Sequence, residues 1–153
     1  MDATRQVTVG DFVAGPKERE YVNAVLDSGR LSYGPFSKRF EQDWAAAHDS
    51  KFAVFCNSGT SALQIAVAAL KAKYGWADGD EVLVPATTFV ATANVVIHNN
   101  LTPVFVDVDP DTFNLNPDLI PQKVTARTRA VIPVHLCGQP ADMRAIKHMA
   151  DEF

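Results

Sequence analysis

Residues 57–61 read Asn-Ser-Gly-Thr-Ser, set between the apolar run Phe52–Phe55 and the alanine-rich run Ala62–Tyr74. A small-residue turn that opens a helix offers an anion unpaired backbone N–H groups and the partly positive end of that helix. Gly59 lets the backbone come close, and Thr60 and Ser61 add hydroxyl donors. The turn carries no lysine and fits neither GxxxxGK[ST] nor GxGxxG, so it suits one phosphate monoester better than a nucleoside triphosphate or a dinucleotide. The same residues would equally serve as a plain cap, with Ser58 or Thr60 closing the start of a buried helix.

A second turn, Pro85 to Phe89, follows the apolar run Val82–Val84 and brings an aromatic residue to the matching position. Phe89 could cover a flat ring by offset stacking, or it could belong to the core. Together the two turns suggest a planar phosphorylated cofactor. Other candidates are weaker. Asp107, Asp109 and Asp111 alternate like the first half of a calcium loop, but the sixth position is Thr112 and the twelfth is Asp118, where Gly and Glu are needed. A strand-end turn is the better reading. His135 and Cys137 lack a second pair of ligands, so no metal site is expected. Cys56 and Cys137 form no CxxC pair and are read as buried thiols. His48 and His148 are expected on helix surfaces and His98 near a helix end.

These side chains need elements to hold them. Tyr21, Val22, Val25 and Leu26 recur at helical spacing between Pro16 and Ser28, with Gly29 placed to end the helix. After the Gly-Pro turn, Phe36, Phe40, Trp44 and Ala47 mark a second amphipathic helix. From there strand-like and helix-like stretches alternate. Strands are expected at Phe52–Phe55, Val82–Val84, Val104–Val106 and Ala130–Val134. Helices are expected from Ala62 to Tyr74, from Phe89 to His98 capped by Thr87 or Thr88, over Pro117–Lys123, and from about Asp142 onward. The run Ala62–Tyr74 is apolar almost all round, which implies a helix covered on several sides. Continuously apolar strands, each followed by a helix, predict an α/β fold: a mainly parallel sheet with helices on both faces.

Composition narrows the class. Among 153 residues, 47% are hydrophobic and 21% charged, an ordinary globular balance. The net charge of -4 and the absence of basic blocks argue against nucleic acid and anionic membranes as partners. No apolar run reaches a transmembrane length, and Met1–Gly15 lacks the pattern of a signal peptide, so a cytoplasmic location is expected.

The chain resembles the DegT/DnrJ/EryC1/StrS family of pyridoxal-phosphate-dependent sugar aminotransferases. The resemblance runs from about Phe12 to Phe153 and rests on five stretches in the family's order: LDSGRLSYGPFSKRFE, NSGTSAL, GDEVLVPATTFVATAN, PVFVDVDPDTFN and VIPVHLCGQPADM. It implies a three-layer αβα architecture, the large domain of the aspartate-aminotransferase-like fold (PLP-transferase fold type I), here incomplete. Residues 1–50 would form a helical segment packing on that domain, and residues 51–153 the amino-terminal part of the domain itself. The cofactor implied is pyridoxal 5'-phosphate. Gly59, Thr60 and Ser61 would hold its phosphate, and Phe89 would stack on its ring. Tyr33, in the SYGP stretch, would contact the nucleotide sugar, with a turn aromatic covering the core as the alternative. His135 and Gln139 lie in a stretch that borders the family's active site, without assigned roles.

Transamination also needs a lysine that forms a Schiff base with the cofactor and a carboxylate facing the pyridine nitrogen. None of Lys17, Lys38, Lys51, Lys71, Lys73, Lys123 and Lys147 stands in the family's lysine-bearing context, and both groups are expected beyond residue 153. No catalytic residue is therefore assigned. The expectation is a fragment of an aminotransferase that moves an amino group from an amino acid to a nucleotide-linked keto sugar, homodimeric at full length. The alternatives are a non-catalytic truncated or split product that binds cofactor or a partner chain, and a pyridoxal-phosphate sugar dehydratase of the same family. Exposed apolar surface is expected for the chain alone.

Overall fold

Val82, Leu83 and Val84 are at most 2% exposed, because the strand that holds them has neighbours on both edges and cover on both faces. The computed structural model describes residues 12–153; the first eleven residues of the stretch read for a signal peptide lie outside the described residues. The chain divides into two compact units, one ending at Phe55 and the other beginning at Cys56.

In the first unit, α1 (Pro16–Asp27) and α2 (Pro35–Ala47) each begin with proline, whose missing N–H costs nothing in a first turn. Aromatic contacts join the unit. Tyr21 meets Phe36 edge-on at 5.8 Å, Phe40 stacks on Trp44 at 5.7 Å, and Phe55 meets Phe40 edge-on at 5.5 Å. Only Ala45 is buried in these two helices. The stretch Phe52–Phe55, expected as a strand, lies in no sheet. Among the described residues no strand runs beside it, and the Phe55 N–H donates to Glu41 Oε1 at 2.9 Å.

The second unit opens with α3 (Gly59–Tyr74), stopped by Gly75 in the left-handed conformation at φ 65°. Then follow β1 (Glu81–Pro85), α4 (Ala91–His98), β2 (Thr102–Val106), a 3-10 turn at Pro117–Leu119, β3 (Thr128–Val131), a second 3-10 turn at Leu136–Gly138, and α5 (Met143–Glu152). The strands are parallel in the order β2-β1-β3, with Leu83 level with Val104 on one side and Val131 on the other. Alternation along the strands divides the core. Val82 and Val84 pack with Val67, Val95 and Val96 of α3 and α4, whereas Leu83 and Val106 pack with Leu115, Ile120 and Ile146 on the α5 side. Helices thus cover both faces, as expected from the continuously apolar strands. The fourth apolar run forms a strand at Thr128–Val131, earlier than the expected Ala130–Val134, because pairing with β1 ends there.

Three other expectations change. Helix α3 is not enclosed: Val67 is its one buried residue, and Ile65 and Leu70 are 51% and 40% exposed, since β1 and α4 cover a single side. The expected helix Pro117–Lys123 is the short 3-10 turn, and α4 starts at Ala91 with no side-chain cap from Thr87 or Thr88. Cys137 is exposed and Cys56 half-buried, so neither is a buried thiol. Cys137 stands at φ 52° in a surface turn. No helix among the described residues is long and apolar enough to cross a membrane.

Candidate functional site

The first turn of α3 is the small-residue stretch singled out in the sequence. Ser58 is its N-cap, in extended conformation, and its Oγ accepts from the Ser61 N–H at 3.1 Å and bonds the Ser61 hydroxyl at 3.1 Å. The capping role is therefore real, and it occupies the Ser61 amide. Gly59 and Thr60 supply the first two amides of the helix, which have no carbonyl one turn back to bond. Both residues are exposed, so the mouth of the helix is open. A Cβ built on Gly59 would meet nothing within 4 Å and the backbone there has no positive φ, so packing within the chain does not require glycine at this position. Two free amides, a helix start and an unfilled space suit a phosphate monoester.

Chain direction sets what stands beside this mouth. Helix α3 ends at Tyr74, the chain turns back through Gly75–Asp80, and β1 runs towards Pro85. The start of α3 and the carboxyl end of β1 therefore lie on the same side of the sheet, where parallel α/β sheets bind ligands. Phe89 leaves that end of β1 and is 72% exposed, so it is not a core residue. Behind it Thr88 Oγ1 and Thr92 Oγ1 are 2.9 Å apart, tying the turn to the start of α4.

The loops after β2 and β3 emerge on the same side. Asp109 accepts from the Asp111 and Thr112 amides at 3.0 and 2.9 Å, which makes it the centre of a turn and holds its carboxyl below the usual range, the Thr112 amide being the main cause. No cluster of three or more His, Cys, Asp or Glu suited to a metal exists among the described residues. His135 Nδ1 accepts from the Ala141 N–H at 3.0 Å. Asn114, the last residue of the stretch PVFVDVDPDTFN and assigned no role there, is 3% exposed and bonds both the Leu136 N–H and the Gln139 carbonyl at 3.0 Å.

Tyr33 belongs to the first unit and is 50% exposed. Its hydroxyl donates to Glu41 Oε2 at 2.6 Å, and this bond raises the phenol pKa above the ordinary tyrosine value. Glu41 is held below the usual carboxylate range, first by the Phe55 amide and then by the Tyr33 hydroxyl. Sequence reasoning assigned Glu41 no role, because that role depends on partners eight and fourteen residues away. At the far end of α3, Lys71 Nζ bonds Asp78 Oδ1 at 2.5 Å and the Asn99 carbonyl at 2.7 Å.

Residues 14–153 match the model of the DegT/DnrJ/EryC1/StrS aminotransferase family. The chain is 47% identical over 136 residues to the spore coat polysaccharide biosynthesis protein SpsC of Bacillus subtilis, a match covering 89% of this chain and 34% of that protein. It is 40% identical to a GDP-perosamine synthase of Escherichia coli O157:H7, covering 88% of this chain and 36% of that one. Among solved structures, an E. coli GDP-4-keto-6-deoxy-D-mannose-3-dehydratase with bound hydrated PLP superimposes with a TM-score of 0.86 at 30% identity, covering 94% of this chain and 37% of the other. The chain thus spans about a third of the length of the curated relatives it matches.

Proposed function

The chain belongs to the DegT/DnrJ/EryC1/StrS aminotransferase family, and from that premise we propose that it is the amino-terminal part of a pyridoxal-phosphate aminotransferase acting on a nucleotide-linked keto sugar, with an amino acid as donor. The open start of α3, facing the same side of the sheet as exposed Phe89, is the observation that carries this reading. The Gly59 and Thr60 amides receive the cofactor's phosphate, Ser61 is held in line by Ser58, and Phe89 covers one face of the ring. When bound, the cofactor supplies the electron-accepting ring on which amino-group transfer depends. Tyr33, oriented by Glu41, is the contact for the sugar nucleotide. Residues 51–153 supply the cofactor-binding part, and residues 1–50 a helical segment. At full length the enzyme is a cytoplasmic homodimer.

One other reading has support: the likeness to a dehydratase favours sugar dehydration on the same scaffold. Amide chemical shifts of the chain titrated with pyridoxal 5'-phosphate and with pyridoxal test the cofactor reading. Shifts at Gly59–Ser61 with the phosphate ester alone support it; equal responses to both ligands, or none at that turn, overturn it.

A further inference from the structure

We propose that Asn114 is a positioning residue that sets His135 and Gln139 as polar contacts for the ring end of a phosphorylated pyridine ligand. The inference rests on the cofactor reading above. Asn114 lies in the loop after β2, yet both ends of its side-chain amide are used in the loop after β3: Oδ1 accepts from the Leu136 N–H and Nδ2 donates to the Gln139 carbonyl, each at 3.0 Å. At 3% exposure it is one of the few buried polar side chains of the described residues, and both bonds span more than twenty residues. A buried amide with both ends satisfied has one orientation, because any rotation strands a donor or an acceptor.

Each of the two loops it joins holds a non-glycine residue in the left-handed region, Phe113 at φ 57° and Cys137 at φ 52°. A positive φ at a non-glycine residue persists where the surroundings over-determine it, and such positions gather at ligand sites. Here the left-handed turn at Phe113 directs the next side chain, Asn114, inward, and Asn114 in turn fixes the peptide between His135 and Leu136. The Ala141 N–H then fixes the His135 ring, since accepting at Nδ1 places the proton of the neutral imidazole on Nε2. His135 is exposed, so that N–H is presented outward. Gln139 leaves a backbone whose carbonyl Asn114 holds. Both residues follow the carboxyl end of β3, on the ligand side of the sheet, and the start of α3 shares that side.

The test uses the 15N-labelled chain and two variants, Asn114→Ala and Asn114→Asp, titrated with inorganic phosphate and with pyridoxal 5'-phosphate, with thermal unfolding recorded for each. In the parent chain, phosphate is expected to shift Gly59–Ser61 alone, and the pyridine ester to shift Leu136–Ala141 as well. Both variants are expected to bind the ester roughly three- to tenfold more weakly, the worth of one or two hydrogen bonds, with phosphate affinity unchanged. A purely structural role would weaken both ligands together, and that result overturns the proposal, as does unchanged affinity for the ester. Where Asn114→Ala fails to fold, Asn114→Asp decides, because it keeps the acceptor for Leu136 and loses the donor to Gln139. A silent Leu136–Ala141 segment with a responsive Gly59–Ser61 turn overturns the positioning role alone. No response at the turn in the parent chain overturns the cofactor reading and this inference with it.

Discussion

Arg129 on β3 grips Asp80, the residue before β1, through Nε at 2.7 Å and Nη2 at 3.3 Å, each nitrogen meeting a different carboxylate oxygen. Next to it Glu81 accepts from Arg127 at 2.8 Å and from the Thr125 hydroxyl at 2.5 Å. Asp80 and Glu81 are each only 5% exposed, and this clasp joins β1 to β3 at the amino ends of the strands, away from the candidate ligand site.

The clasp predicts acid sensitivity. Asp80 is held below the usual carboxylate range chiefly by Arg129, and Glu81 chiefly by Thr125 with Arg127 assisting. Carboxyls whose folded pKa is lowered stabilise the fold above their unfolded values, and that contribution is lost as pH falls through the lowered folded values. Thermal midpoints followed by circular dichroism from about pH 7 down to about pH 2 are therefore expected to stay level and then drop below the ordinary carboxylate range. Asp80→Asn and Glu81→Gln should lower the neutral-pH midpoint and flatten the acid limb; an unchanged acid limb refutes the clasp.

Gly59 separates stability from binding. Since its Cβ position is open and its backbone has no positive φ, Gly59→Ala is expected to raise stability by about 0.4–1 kcal/mol through the unfolded chain. Gly59→Leu should fold normally and bind pyridoxal 5'-phosphate about tenfold more weakly, roughly 1.4 kcal/mol. Calorimetry checks both, and a destabilised Gly59→Ala would show that the turn is constrained by the chain itself.

Tyr33 should ionise late. The bond to Glu41 raises its pKa, so the phenol stays protonated at higher pH than a free tyrosine. Difference absorbance between the parent chain and Tyr33→Phe isolates this titration, and Glu41→Gln is expected to move it back down. No movement in that variant would mean that Glu41 does not orient the ring.

Lys71 should resist labelling. Its amine is engaged by Asp78 and the Asn99 carbonyl at the end of α3 remote from the phosphate turn. After pyridoxal 5'-phosphate and borohydride, peptide mass mapping is expected to find no stoichiometric adduct at Lys71 or Lys73. A specific adduct at either, with turnover, would overturn the expectation that neither lysine is the reactive amine.

The repeating half of the architecture was legible because apolar runs and small-residue turns are local signals. Val82–Val84 and Gly75 announce a buried strand and a helix end within a few residues of themselves. Phe52–Phe55 reads as a strand from its apolar run, yet it pairs with none of β1, β2 and β3, and pairing is a long-range property that a tetrapeptide does not encode. The apolar circumference of α3 likewise describes what the helix could bury, and Ile65 and Leu70 are left outward because β1 and α4 reach only one side. Gly59 and Phe89 could be marked from turn chemistry. Asn114 and Glu41 could not, since each is defined by bonds to residues eight to twenty-five positions away, and neither type nor spacing advertises such a partner.

The order β2-β1-β3 gathers three neighbouring strands from one continuous stretch, residues 81–131. A ribosome emits that stretch in a single pass, with α3 already outside. All three strands, with the candidate phosphate turn ahead of them, can therefore pair as soon as that stretch has emerged, without waiting for a distant part of the chain.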